Sequence, residues 1–422
     1  MVARGENSQM APKSRARWFP RLSNSDAVSR DTRHRFDPAD FSPAIRTQLL
    51  ILQPTPFCNI DCDYCYLPDR NSKDRMDIAI VRRASERLRD DGLLGSELTV
   101  VWHAGEPLTM PPAFYEEAVG VIGEVLGSAS KVSHSIQTNA TLIDDEWCEL
   151  FNRHGIRIGV SVDGPANLHD AHRRTRTGRG THERVLRGMA KLREHRITFH
   201  AIAVVTAATF EQADAFVDFF VEQGVSELGC NFDEAEGIHK LSSLKGHETA
   251  HATFVARLLE RSIASQLRVR ELALALRLIA QSLPTYRWHD ETWPENAQTL
   301  PFALITVAHN GDFSSFSPEL LGQPSAEFNN FILGNVTKSS YFESTRSDTF
   351  ERLWGAIRRG THECEQSCQY FSFCGGGSPA NKLYENNDIC SGETLYCRTM
   401  LKRPFDTVLA RLEADRLSPS SY

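Results

Sequence analysis

Residues 53–70 read QPTPFCNIDCDYCYLPDR, and this stretch decides how the rest of the chain is read. Cys58, Cys62 and Cys65 are spaced C-x3-C-x2-C directly after a β-rich run, which places them in a βα loop at a strand's C-terminal end. Three soft thiolates on one short loop can hold three irons of a cubane cluster and leave the remaining iron open. Structural zinc would want a further Cys or His nearby, which the loop lacks. A ferredoxin would need four cysteines per cluster, against three here.

Outward from that loop, residues 46–245 alternate short β-rich runs with longer amphipathic ones. Strands are expected at 47–53, 98–103, 132–137, 156–162, 198–205 and 227–232. Their Val, Ile and Leu content suits parallel strands buried on both faces. Helices are expected at 77–90, 112–126, 144–154, 183–194 and 211–222, with Gly155 and Gly224 placed as C′ glycines. Six such units predict an α/β fold: a parallel sheet, open or curled into a partial (β/α)6 barrel, with its site at the strands' C-terminal ends.

After Gly237 the alternation stops. Residues 246–299 are expected to form a helical bridge, and 300–422 a small cysteine-rich module closed by a helix over 402–415. Residues 1–45 read as a disordered tail without the apolar core of a secretory signal. That points to the cytoplasm, where clustered cysteines mean metal or catalysis more than disulfides.

The 422 residues are 41% hydrophobic and 24% charged, which is globular composition. The net charge is −7, and eight basic against five acidic residues in the first 45 leave about −10 on the body. An acidic body argues against nucleic acid as the partner. No apolar run is long enough to span a bilayer.

The C-x3-C-x-aromatic-C pattern, with Tyr64 as the aromatic, resembles the signature of the radical S-adenosylmethionine (SAM) superfamily. His103-Ala104-Gly105-Glu106-Pro107 looks like the family's G-G-E-P motif, with Ala104 at the first glycine. The resemblance implies that this loop, through its carbonyls near Gly105 and through Glu106, holds the SAM amino group. Gln137 and Asn139 in QTN, and Ser161 in SVDGP, look like the polar rims that meet the SAM ribose and carboxylate. Arg173, twelve residues after Ser161, matches a carboxylate clamp. Asp163 reads as a turn or cap residue at least as readily as a SAM contact.

Residues 364–398, CEQSCQYFSFCGGGSPANKLYENNDICSGETLYCR, resemble the C-terminal half of a SPASM domain, which carries auxiliary iron–sulfur clusters. Cys364, Cys368, Cys374 and Cys397 match the ligands of one such 4Fe–4S cluster, although four thiolates also suit a zinc ribbon. The other auxiliary cluster is expected to be missing: Phe316 stands at a family cysteine, Ser317 at the acid of sulfatase-maturing relatives, and Ser378 at a further ligand position. Cys390 is a spare thiol, and Cys148 and Cys230 read as core residues.

WHAGEPL, SIQTNATLID, SVDGPANLHDAHR, FSPELLG, CGGGSPANKLYE and ETLYCR together resemble the cyclophane-forming radical SAM/SPASM peptide maturases of the GrrM type. The resemblance implies that a 5′-deoxyadenosyl radical opens a C–H bond in a ribosomally made precursor peptide. An aromatic side chain is then joined to the β-carbon of a nearby residue. The implied cofactors are SAM, a 4Fe–4S cluster on Cys58, Cys62 and Cys65, and one auxiliary 4Fe–4S cluster. The implied electron donor is a flavodoxin or ferredoxin. Candidate bases are Asp233, Glu234 and Glu236 after the sixth strand, and Glu319. Alternatives are a sulfatase-type formylglycine maturase, an epimerase or a thioether former, and, from another class, a non-catalytic iron–sulfur electron carrier.

Overall fold

A computed structural model describes residues 36–280 and 283–417. Six strands, β1 (Thr47–Leu52), β2 (Leu94–Trp102), β3 (Lys131–Thr138), β4 (Arg157–Ser161), β5 (Phe199–Val205) and β6 (Glu227–Phe232), pair in sequence order, each parallel to the next. Between them run α1 (Ile78–Asp90), α2 (Pro112–Leu126), α3 (Asp145–His154), α4 (His182–Glu194) and α5 (Ala213–Glu222). Each helix forms for a local reason. In α1, Ile80, Val81, Ala84 and Leu88 make one buried stripe, and Asp77 caps the helix by accepting from Ala79 N at 2.8 Å. Asp144 caps α3, which ends on Gly155 at φ 60°. Burying each large apolar side chain of this core contributes about 2 kcal/mol.

The sheet continues past the six predicted strands. β7 (Arg268–Val269) adds in parallel to β6, while β8 (Leu304–Val307) adds in parallel to β1. β9 (Asp312–Ser315) and β10 (Gly334–Asn335) then follow antiparallel, giving a ten-stranded sheet. The C-terminal module predicted from residue 300 therefore shares the barrel's sheet, because all four residues of β8 are buried against β1.

The expected helical bridge also differs. α6 (Glu248–Ser265) and α7 (Arg270–Ala280) are helical, but a hairpin of Thr285–Trp288 with Glu291–Pro294 follows and pairs with Phe41–Ser42. Phe36 and Phe41 pack there with Trp288, Phe302, Phe350 and Trp354, so residues ahead of the predicted boundary at 46 belong to the core. The rest of the predicted tail, residues 1–35, lies outside the described residues. Three further helices, α8 (Asp348–Ser367), α9 (Pro379–Asn386) and α10 (Arg403–Leu417), build the C-terminal part. No helix among the described residues is long and apolar enough to cross a membrane.

Candidate active site

Inside the first cysteine loop, Ile60–Cys62 pairs antiparallel with Arg173–Thr175, setting Cys62 opposite Arg173. Arginines pin the loop by its carbonyls. Arg176 donates to Cys58 O from Nε at 2.8 Å and from Nη2 at 2.7 Å, and Arg70 donates to Cys62 O at 3.0 Å. The loop after β2 lies against it: Glu106 N donates to Phe57 O at 2.7 Å. A Cβ on Gly105 would lie 2.5 Å from the Thr55 and Phe57 carbonyls, so only glycine fits. Ala104 adopts φ 73°, a left-handed conformation costing a non-glycine residue about 1 kcal/mol. Burial pushes the Cys58 and Cys62 thiols up to about 12, so it is a bound metal, replacing the proton, that makes them thiolates.

The rim residues gather above this loop. Gln137 Nε2 donates to Ser161 Oγ at 2.8 Å across β3 and β4. Asn139 Nδ2 reaches Asn59 Oδ1 at 2.8 Å and Cys58 Sγ at 3.8 Å. The Glu106 carboxylate, expected to face an ammonium, is turned instead to the protein's own donors: Thr138 Oγ1 (2.6 Å), Asn139 N (2.7 Å) and Leu108 N (3.0 Å). Burial nevertheless raises its pKa to about 7, against the pull of those three donors.

Asp163 is neither a helix cap nor a free turn acid. Its carboxylate, 2% exposed, takes Arg173 Nε at 2.9 Å and Nη2 at 3.0 Å, Val204 N at 2.9 Å and Tyr64 OH at 2.5 Å. The Arg173 fork expected to clamp a ligand carboxylate is thus committed to Asp163, with its guanidinium 5.4 Å from the Tyr64 ring centre.

Three of the four candidate bases meet. Glu234, Glu236 and Glu319 line a cavity of about 320 Å³ together with Arg270, Ser378 and Tyr396. Asp233 does not join them: it pairs with His239 Nε2 at 3.0 Å and accepts from Ser243 N at 2.6 Å. Burial, and then the neighbouring carboxylates, raise Glu234 to about 8 and Glu236 well above the carboxylate range; burial also raises Glu319. Burial and mutual repulsion thus favour the protonated forms of these carboxyls, the kind of perturbation found at acid–base sites.

The second group forms where α8 ends and the glycine run begins. Cys364 is buried on α8; Cys374 precedes Gly375, Gly376 and Gly377, all at positive φ. The N–H groups of Gly376 and Gly377 hydrogen-bond Cys374, and Asn296 Nδ2 ties the run down through Cys374 O (2.9 Å) and Gly377 O (2.8 Å). Thr394 Oγ1 donates to Cys397 Sγ at 3.3 Å, and Lys382 Nζ to Cys364 Sγ at 3.2 Å. Burial raises Cys374 and Cys397, with Cys364 near enough to both to add to it, and Lys402 lies near both Cys368 and Cys397. Cys390 faces Arg359 Nε at 3.4 Å. Phe316 is fully buried and stacks on Trp354 at 6.0 Å, so a side chain of the aromatic core fills that position.

Residues 52–220 match the radical SAM superfamily. The uncharacterised protein sll1766 of Synechocystis sp. is 36% identical over 386 residues, spanning 89% of this chain and 94% of that one. The serine-type anaerobic sulfatase-maturating enzyme of Klebsiella aerogenes is 36% identical over 182 residues, 42% of this chain and 45% of that. In fold, the structure is similar to anSMEcpe with bound AdoMet, at TM-score 0.70 and 20% identity, covering 89% of this chain and 97% of that one. It is also similar to Streptococcus suis SuiB bound to precursor peptide SuiA, at TM-score 0.58 and 18% identity, covering 84% and 76%.

The chain belongs to the radical SAM superfamily. As a radical SAM enzyme it takes SAM and a 4Fe–4S cluster as cofactors, and its residues fit them. Cys58, Cys62 and Cys65 lie close enough on one short loop to act on one another's ionisation, as three ligands of one cluster must. The radical SAM pattern singled out Cys58, Cys62, Cys65, Tyr64 and the rim, which the fold brings to one loop and the strand ends beside it, but missed the pairing of Asp163 with Arg173. It also missed Arg176, Arg270 and Lys382. Lys382, three residues past a glycine–serine–proline stretch, carries no local signal in the sequence that marks it as buried.

Proposed function

We propose that this radical SAM enzyme modifies a ribosomally made precursor peptide, joining an aromatic side chain to the β-carbon of a nearby residue. The observation that carries the reading is the cavity of about 320 Å³ walled by Glu234, Glu236 and Glu319, with Ser378 and Tyr396 of the C-terminal part on its wall. Cys58, Cys62 and Cys65 would hold a 4Fe–4S cluster whose open iron binds SAM, and the reduced cluster would supply from it a 5′-deoxyadenosyl radical able to take a hydrogen atom from a substrate carbon. Gln137, Ser161 and Asn139 orient the nucleoside at the loop. Glu234, Glu236 or Glu319 accepts the proton that an aromatic ring loses when its aromaticity is restored after bond formation. Cys364, Cys368, Cys374 and Cys397 would hold an auxiliary 4Fe–4S cluster, a one-electron acceptor, and a flavodoxin or ferredoxin would supply the reducing electron. Support for a peptide substrate comes from the fold shared with anSMEcpe and SuiB, both solved with peptides bound.

A formylglycine maturase is the second reading, favoured by the similarity to sulfatase-maturating enzymes. Against it stand Phe316, locked on Trp354, and Ser317, whose hydroxyl lies 3.5 Å from Ser378 Oγ. The test is anaerobic reconstitution with SAM, reductant and short peptides encoded beside the gene, read by tandem mass spectrometry. A crosslink and a serine oxidised to an aldehyde both remove two hydrogens, so mass alone does not separate them. Suppressed fragmentation across an aromatic-containing segment is the expected result. A product that fragments fully and reacts with a hydrazide would transfer the conclusion to formylglycine.

A further inference from the structure

Lys382 on α9 is 2% exposed, and lysine is almost never so buried without compensation. Its ammonium donates to Gly360 O at 2.6 Å and to Cys364 Sγ at 3.2 Å. It is wedged between α8 and the glycine run: a Cβ on Gly360 would come 3.1 Å from Nζ, and one on Gly377 would lie 3.8 Å from Lys382 Cε and 3.5 Å from Cys397 Sγ. Its charge also favours the thiolate of Cys397. A carbonyl and a neutral thiol do not offset a buried ammonium, whose desolvation costs several kcal/mol. Four thiolates around a 4Fe–4S core do offset it, because the assembly is anionic when oxidised and more so when reduced.

We infer that Lys382 is the positioning residue that balances the charge of the auxiliary cluster and holds its reduction potential up, through an N–H···S bond to Cys364 and a fixed positive charge beside Cys397. Both interactions stabilise the more negative, reduced form. The inference rests on the reading of Cys364, Cys368, Cys374 and Cys397 as ligands of one auxiliary cluster. The placement links it to catalysis, because the preceding residue, Asn381, hydrogen-bonds Glu234 at the cavity wall. One turn of α9 therefore touches both the acid cavity and the cluster site.

The experiment uses the full chain carrying Cys58→Ala, Cys62→Ala and Cys65→Ala, so that the auxiliary cluster is read alone by iron analysis and an EPR-monitored redox titration. Lys382→Met is expected to keep the parent's iron content and shift the midpoint potential to more negative values, while Lys382→Arg stays near the parent. An unchanged midpoint in Lys382→Met at full iron content overturns the inference, as does an equal shift in Lys382→Arg. If Lys382→Met loses its iron, Lys382→Arg decides: iron retained there supports the charge assignment, and iron lost in both makes Lys382 a packing residue. A parent that holds no cluster at all overturns the auxiliary-cluster reading itself, which separates the two failures.

Discussion

Around Cys58, Cys62 and Cys65 the protein mainly grips the backbone: Arg176 and Arg70 hold carbonyls, the 105–106 loop lies against the 55–57 turn, and Asn139 and the Ile60 N–H reach the Cys58 sulfur. Around Cys364, Cys368, Cys374 and Cys397 it addresses the sulfurs themselves, through Lys382, Thr394 and the N–H groups of Gly376 and Gly377. The difference follows from the number of thiols. A three-cysteine loop must be shaped rigidly while one coordination position stays free for a ligand. A four-cysteine group is closed, so what remains to be set is its charge and potential.

The strongest way to break this contrast is to remove one ligand from each group. Cys58→Ala is expected to bring 5′-deoxyadenosine formation down to the enzyme-free level, measured by chromatography of the quenched reaction. Cys374→Ala is expected to retain part of that formation while abolishing peptide modification; full modification by this variant would contradict an electron-accepting role for the second group. Asp163→Asn tests the scaffold between β4 and the first loop. It leaves the buried Arg173 uncompensated and should cost about 3–5 kcal/mol, seen as a lower unfolding midpoint with weaker SAM binding. Phe316→Cys sharpens the count of clusters: it should lose about 3 kcal/mol by emptying the stack on Trp354 and add no iron.

The smallest effect concerns pH. Glu234 is raised from 4.5 to about 8 by burial, so the folded protein binds more protons than the unfolded chain between those values. Stability should therefore fall as pH rises from about 4.5 to about 8, and Glu234→Gln should flatten part of that slope in a series of melts.

Much of this was legible in the chain because its signals are local. Most of the six parallel strands are rich in Val, Ile, Leu or Ala, and the cysteine loop directly follows β1. What stayed hidden depends on partners distant in sequence. Asp163 sits in an aspartate–glycine–proline stretch that reads as turn chemistry, and nothing nearby announces Arg173, ten residues on, or Val204, on another strand. β8 is only four residues long, too short for periodicity to show that it extends the barrel's sheet. Asp233 and Glu234 are adjacent carboxylates, and only the fold sends one to His239 and the other to the cavity.

The contrast between an open and a closed cysteine group is tested most directly by EPR of the reduced protein with and without SAM. The spectra would come from two variants, one lacking Cys58, Cys62 and Cys65 and one lacking Cys364, Cys368, Cys374 and Cys397. SAM should alter the signal of the cluster held by the first loop and leave the signal held by the C-terminal group unchanged. A SAM-induced change at the C-terminal group, or none at the first loop, would contradict the assignment.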